Sequence, residues 1–189
     1  MRRTFTLVEL ITVIVIIMIL VGILMPTIGF VISKAESSQT TTRIKTLQMA
    51  IAQYESNYGT LPSIDSSVTG ADDDTTTANS GDLEITEGTD AYEQLISLLT
   101  NATTGTNGLG NVRGIQFLEP TDVSNPNSYE DAWGQPFRVK IDTSYNNQLD
   151  GSALPGVDDA TVLYMNVAIV SAGPDEDFDT EDDNVSSWD

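Results

Sequence analysis

From Leu10 to Ser33 the chain carries no charged side chain, and Leu10 to Met25 is almost wholly Ile, Val, Leu and Met. At about 1.5 Å of rise per residue, a helix of this run exceeds the roughly 30 Å hydrocarbon core of a bilayer. The run therefore predicts a membrane span. Arg2 and Arg3 precede it, while residues 61–189 hold 25 acidic and three basic side chains. The positive-inside bias then puts the N-terminus in the cytoplasm and everything beyond the span outside. A secretory signal peptide is the competing reading, but its apolar core is only about 7–15 residues long and ends at a small-residue cleavage site. This run follows neither rule.

Composition removes other classes. The 189 residues include neither His nor Cys, and their formal charge is −20. Without those two residues there is no Ser-His-Asp or Cys-His nucleophile, no ordinary zinc site and no disulfide. The negative charge opposes a phosphate backbone, so no nucleic-acid partner is expected.

Glu9 stands at the edge of the apolar run, where an ionised carboxylate deep in lipid costs about 2–3 kcal/mol or more. Snorkelling to the interface beside Arg2 and Arg3 would relieve that cost; so would a partner within the membrane. The segment Phe5-Thr6-Leu7-Val8-Glu9-Leu10 resembles the start of mature type IV pilins and of the pseudopilins of type II secretion systems. The resemblance implies a leader at residues 1–4, cleavage between Thr4 and Phe5 by a prepilin peptidase and N-methylation of Phe5. It also makes Glu9 an assembly residue that neutralises the new α-amine. Gly22 and Pro26 fall where this family places a helix kink, and Gly and Pro both weaken a helix interior. Thr4 departs from the family, which has Gly before the cleavage point.

Beyond the span, Ile44, Leu47, Ile51, Tyr54 and Tyr58 recur at spacings of three and four, one apolar stripe on a helix. Two heptads are too few for a coiled coil, so packing on the chain's own sheet is expected. Gly59 and Pro62 end the helix, and Ser37 to Thr42 is a poor helix former expected to be locally loose. The chain thus divides into the leader (1–4), a transmembrane half-helix (5–33), an extramembrane half-helix (34–58) and a globular region (59–189).

Ser63 to Thr89 contains Asp72-Asp73-Asp74 and is expected to be an exposed loop. Asp90 is expected to cap a short helix carrying Tyr92, Leu95, Ile96, Leu98 and Leu99, and a polar loop follows from Thr100 to Asn111. Strands are expected at Phe137–Ile141 and Val162–Val170, with turns over Asn146–Asp159 between them. Asp131-Ala132-Trp133-Gly134-Gln135-Pro136-Phe137 is similar to an element of the major pseudopilins; Gly134 suits a tight turn, and Trp133 is expected to supply a buried ring.

Seven carboxylates fall between Asp175 and Asp183, which repel one another unless a hard cation such as Ca²⁺ gathers them. An EF-hand reading fails, because Thr180 and Ser186 replace its turn glycine and bidentate glutamate. Ser171-Ala172-Gly173-Pro174-Asp175, with Asp182-Asp183 and then Trp188, instead resembles the calcium loop of major pseudopilins. By that resemblance Asp175, Asp182 and Asp183 give carboxylates, Thr180 a hydroxyl and Ala172 a main-chain carbonyl to Ca²⁺. A solvated acidic tail is the alternative.

The expected fold is α+β and pilin-like: a long N-terminal helix, membrane-spanning in its first half, packed on a small antiparallel sheet with a loop-rich C-terminal region. The resemblance implies a non-enzymatic structural subunit of a periplasmic or surface filament, a pseudopilin of a type II protein secretion system. Its site would be the inner membrane, single-pass, with the C-terminal domain periplasmic until assembly into the filament. The partners implied are further copies of the chain, minor pseudopilins, the prepilin peptidase and an inner-membrane assembly platform. The alternatives are a type IV pilus subunit, a membrane-tethered calcium-dependent binding module that never polymerises, and a carboxylate-pair hydrolase.

Overall fold

The computed structural model describes residues 6–62, 64, 71–73, 82–101, 111–152, 154–158, 160–180 and 182–188, with the side chains of 24–28 and 71–73 outside that description. The chain forms two compact units, Met1–Glu36 and Ser37–Asp189. Helix α1 (Leu7–Tyr58) contributes to both.

In the first unit, the described side chains of α1 are exposed and largely apolar: Leu7, Val8, Leu10, Ile11 and the aliphatic residues from Val13 to Val21 all face outward. The expected span, Leu10 to Ser33, runs through residues 24–28. Among the described residues no helix is long and apolar enough to cross a membrane.

In the second unit the apolar stripe of α1 becomes core. Ile44, Leu47, Ile51 and Tyr54 are buried as expected, and Ala50 and Thr40 join them. Ser37 to Thr42 is helical rather than loose. The Thr41 and Thr42 hydroxyls donate to the Ser37 and Ser38 carbonyls one turn back (3.0 and 2.9 Å), so side chains that compete for backbone elsewhere here bond within the helix. Gly59, at φ 74, ends α1 and donates its N–H to the Glu55 carbonyl.

Helix α2 (Asp90–Thr100) buries Ala91, Tyr92, Leu95, Ile96 and Leu99. Its cap is Thr89 rather than Asp90: the Thr89 hydroxyl accepts from the Tyr92 N–H, and Asp90 is the first helical residue. An acid there still complements the helix dipole. Most of the polar loop expected from Thr100 to Asn111 lies outside the described residues.

Five strands form one antiparallel sheet in the order β1 (Ala71–Asp73), β2 (Asp82–Ile85), β3 (Arg138–Asp142), β6 (Val167–Ser171), β7 (Val185–Ser186). Strands β4 (Leu149–Asp150) and β5 (Val162–Leu163) pair separately. Three expectations need correction. The segment expected as a loop contributes β1 and β2, with Leu83 opposite Ile141 and Ile85 opposite Val139. The strand expected over Val162–Val170 is split, because Val162–Leu163 pairs with β4 while Val167 onward pairs with β3. The expected turn region Asn146–Asp159 contains β4.

Alternation divides the large sheet into two chemical faces. Leu83, Ile85, Val139, Ile141, Val167 and Ile169 join α1 and α2 in one core. A second cluster, Leu149, Leu154 and Ala168, is partly covered by Leu163, Met165 and Trp188.

The segment 129–137 ties these layers together. Tyr92 donates its hydroxyl to the Tyr129 carbonyl, and burial pushes that phenol's pKa up, so it stays a donor. Arg43 Nη1 donates to the carbonyls of Glu130 (2.8 Å) and Asp131 (2.5 Å), and the Ala132 N–H donates to the Thr40 hydroxyl (3.1 Å). Gly134, at φ 86, makes the expected turn. Trp133 is only half-buried; the ring sealed into the core is Phe137, with no exposure. Tyr92→Phe should cost about 1–3 kcal/mol, because the Tyr129 carbonyl is left buried without its donor. Denaturant unfolding should show a lower midpoint with an unchanged slope.

Candidate functional site

Two regions carry the residues singled out by sequence, and each lies within one compact unit. At the N-terminus, Thr4 and Phe5 lie outside the described residues. Glu9 is exposed in the first turn of α1, and its N–H donates to the Thr6 hydroxyl (3.3 Å). Thr6 and Glu9 thus stand in the spacing of a capping box, and an acid there is favoured by the helix dipole. This is a local role that the membrane argument did not anticipate. Gly22 has no neighbour near its α-carbon, and α1 continues through it and through residue 26.

The second region is the C-terminal acidic loop. A short 3-10 turn, Gly173–Asp175, follows β6. Asp175 Oδ1 accepts from the Asp177 N–H (3.0 Å), and Oδ2 faces the Thr180 hydroxyl. The Thr180 hydroxyl, with the Asp177 amide, holds the Asp175 carboxyl below its ordinary pKa. Asp177 Oδ1 accepts in turn from the Asp179 N–H (3.0 Å). Glu176 takes φ 62, a conformation that favours glycine. Above the loop, Arg138 lies over the Phe178 ring at 4.2 Å and forks onto Glu87 at 2.9 and 3.0 Å.

Of the five expected calcium ligands, Asp175 and Thr180 meet directly. Ala172 is buried, and the next residue, Gly173, packs so closely on the Asp183 carbonyl that a Cβ would clash. Asp183 Oδ1 is buried with no hydrogen-bond partner among the described residues. Asp182 is exposed. Among the described residues no three acidic side chains form a group able to hold a metal ion.

Sequence reasoning missed a third charged group, on the sheet face opposite the main core. Asp82 of β2 stands opposite Asp142 of β3, and Lys140 Nζ bonds Asp150 Oδ1 (2.5 Å) and the Ser152 hydroxyl (2.9 Å). Asp82, Lys140, Asp142 and Asp150 are 2, 1, 1 and 8 % exposed. Burial raises the Asp150 carboxyl, but Lys140 and Ser152 outweigh it and hold the pKa below its usual value. Asp82 goes the other way: burial, reinforced by Asp142 and Asp150 against the pull of Lys140, pushes it up to about 6. The Asp-Leu-Glu-Ile alternation at 82–85 was the available signal for this strand.

No protein-family model matches the chain, and neither the curated proteins nor the solved structures provide a match.

Gly173→Ala should destabilise the second unit by about 1–3 kcal/mol, since φ 76 and the Asp183 carbonyl both oppose a Cβ. Thermal melting of the full chain should show the loss.

Proposed function

We propose that the chain is a structural subunit of a pilin-like filament, a pseudopilin of a type II secretion system, held before assembly in the inner membrane by the first half of α1. The observation that carries this reading is the exposed aliphatic surface of α1 from Leu7 to Val21, with Glu9 its single charge. Such a surface needs lipid or other apolar helices around it. A filament supplies the second, because neighbouring copies replace lipid along the helix. The Phe5 amine, once freed by a prepilin peptidase, would pair with Glu9 of an adjacent copy. In the periplasmic unit Ca²⁺ would be held by Ala172, Asp175, Thr180, Asp182 and Asp183. The orphaned Asp183 oxygen and the Asp175–Thr180 contact support that calcium assignment.

Glu9→Ala is expected to leave membrane insertion intact, since it makes the segment more apolar, but to lower filament yield by leaving the amine unpaired. Because Glu9 also occupies the capping-box position, Glu9→Gln separates the roles: glutamine preserves the cap but not the charge. Membrane fractionation with quantified sheared filaments reads both. Wild-type filament yield from Glu9→Gln would contradict the pairing.

A further inference from the structure

The turn between β3 and β4 places oxygen-bearing side chains at alternate positions: Asp142, Ser144, Asn146, then the Gln148 carbonyl and Asp150. Counted from Asp142, these are positions one, three, five, seven and nine of a calcium loop. The backbone agrees with the count at position six, while Tyr145 at position four also takes a positive φ of 57. Position six of such loops is glycine because the chain must turn sharply there; here it is Asn147, at φ 58, and asparagine is among the few other residues that visit this region readily. Asp142 Oδ1 accepts from the Ser144 hydroxyl (2.8 Å), and its Oδ2 from the Asn147 N–H (2.6 Å). The Asn146 side-chain oxygen accepts from the Gln148 N–H (2.7 Å). These contacts fold the loop around the first carboxylate.

Position twelve, which ordinarily brings a bidentate glutamate, is Ala153. The missing carboxylate is available from a neighbouring strand. Asp82 pairs directly with Asp142 across β2 and β3, and opposed residues of an antiparallel pair have side chains on the same face, about 5 Å apart at Cβ. Asp82 is 2 % exposed, and among the described residues neither carboxylate oxygen has a hydrogen-bond partner of good geometry; the Asp150 N–H is its one weak backbone donor. A buried carboxylate so weakly partnered is costly unless something binds it.

We propose that the loop from Asp142 to Asp150, completed by Asp82, binds one Ca²⁺, at a site separate from the C-terminal acidic loop. Three buried carboxylates face one ammonium, Lys140, leaving two negative charges for a divalent cation to neutralise. All the donors are hard oxygens of mixed type, which suits Ca²⁺ better than a softer metal. Among the described residues the three acids do not form a metal-holding group, and Asp150 bonds Lys140. Position nine commonly reaches calcium through a water, so that ion pair persists when the metal binds.

The test is calorimetric titration of the full chain, in detergent micelles, with CaCl₂, and melting with calcium or with chelator. Asp82→Asn keeps the shape and removes the charge. It is expected to weaken or abolish one binding event by about tenfold or more, the scale on which even outer-shell ligand changes act, and to shrink the calcium-dependent melting shift. Asn146→Ala, in the exposed part of the loop, should weaken the same event and guards against misfolding of the first variant. Asp175→Asn should leave this event unchanged. Loss of this event on Asp82→Asn but not on Asp175→Asn supports this site, whereas loss on Asp175→Asn alone assigns the event to the C-terminal loop and overturns it. Wild-type affinity and stoichiometry in both Asp82→Asn and Asn146→Ala, or no calcium binding by the wild-type chain, would overturn the proposal.

Discussion

One buried carboxylate, Asp131, holds the turn at which the layers of the second unit meet. Its Oδ1 accepts from the N–H groups of Trp133 and Gln135, both at 2.9 Å, and its Oδ2 from the Ser171 hydroxyl at 2.5 Å. The first two bonds set the turn that leads into β3; the third ties that turn to the end of β6. On the same segment, Arg43 and Thr40 of α1 bind the backbone at 130–132, and Tyr92 of α2 binds the carbonyl at 129. A charge-assisted network of this kind is worth more than its separate bonds, since a buried carboxylate stripped of one donor keeps its full desolvation cost. The helix, the short helix and the sheet are therefore fixed to one another at this segment by polar bonds as well as by the core that Tyr129 and Phe137 join.

The sheet has two unlike faces. Toward α1 and α2 it presents aliphatic residues from β2, β3 and β6. On the other side, the same alternation puts Asp82, Glu84, Lys140 and Asp142 in one layer. Lys140 has its partner in Asp150, and among the described residues no second ammonium balances Asp82 and Asp142. Sequence-distant acids brought to adjacent strands create a field that neither segment has alone, and it is concentrated beside the loop from Asp142 to Asp150.

The parts of this fold legible in the sequence are those carried by periodicity. The stripe Ile44–Leu47–Ile51–Tyr54 and the α2 residues Tyr92, Leu95, Ile96 and Leu99 occur at helical spacing and are buried accordingly. Strand β2 was hidden because its four residues follow a long Ser, Thr, Gly and Asp stretch, and so short an alternation carries little weight against that composition. The break between Leu163 and Val167 could not be read from side chains that are apolar on both sides, since it is the pairing partner that changes. Trp133 was overvalued by size, whereas position in the turn decided that Phe137 went inside. The Asp142 loop escaped because its ligating pattern is incomplete in sequence and is supplied across the sheet by Asp82.

The functional proposal joins these observations into a division of labour: an apolar helical tail for lipid or for neighbouring tails, and an acidic unit that follows it in the chain. Its central claim is that copies of the chain surround one another along the tail. A photo-crosslinking residue placed at Ile16, which is 52 % exposed on α1, measures this in living cells that assemble the filament. The account predicts a ladder of adducts between copies of this chain, formed through the tail and dependent on prepilin processing. Monomers crosslinked only to lipid or to unrelated membrane proteins would contradict it.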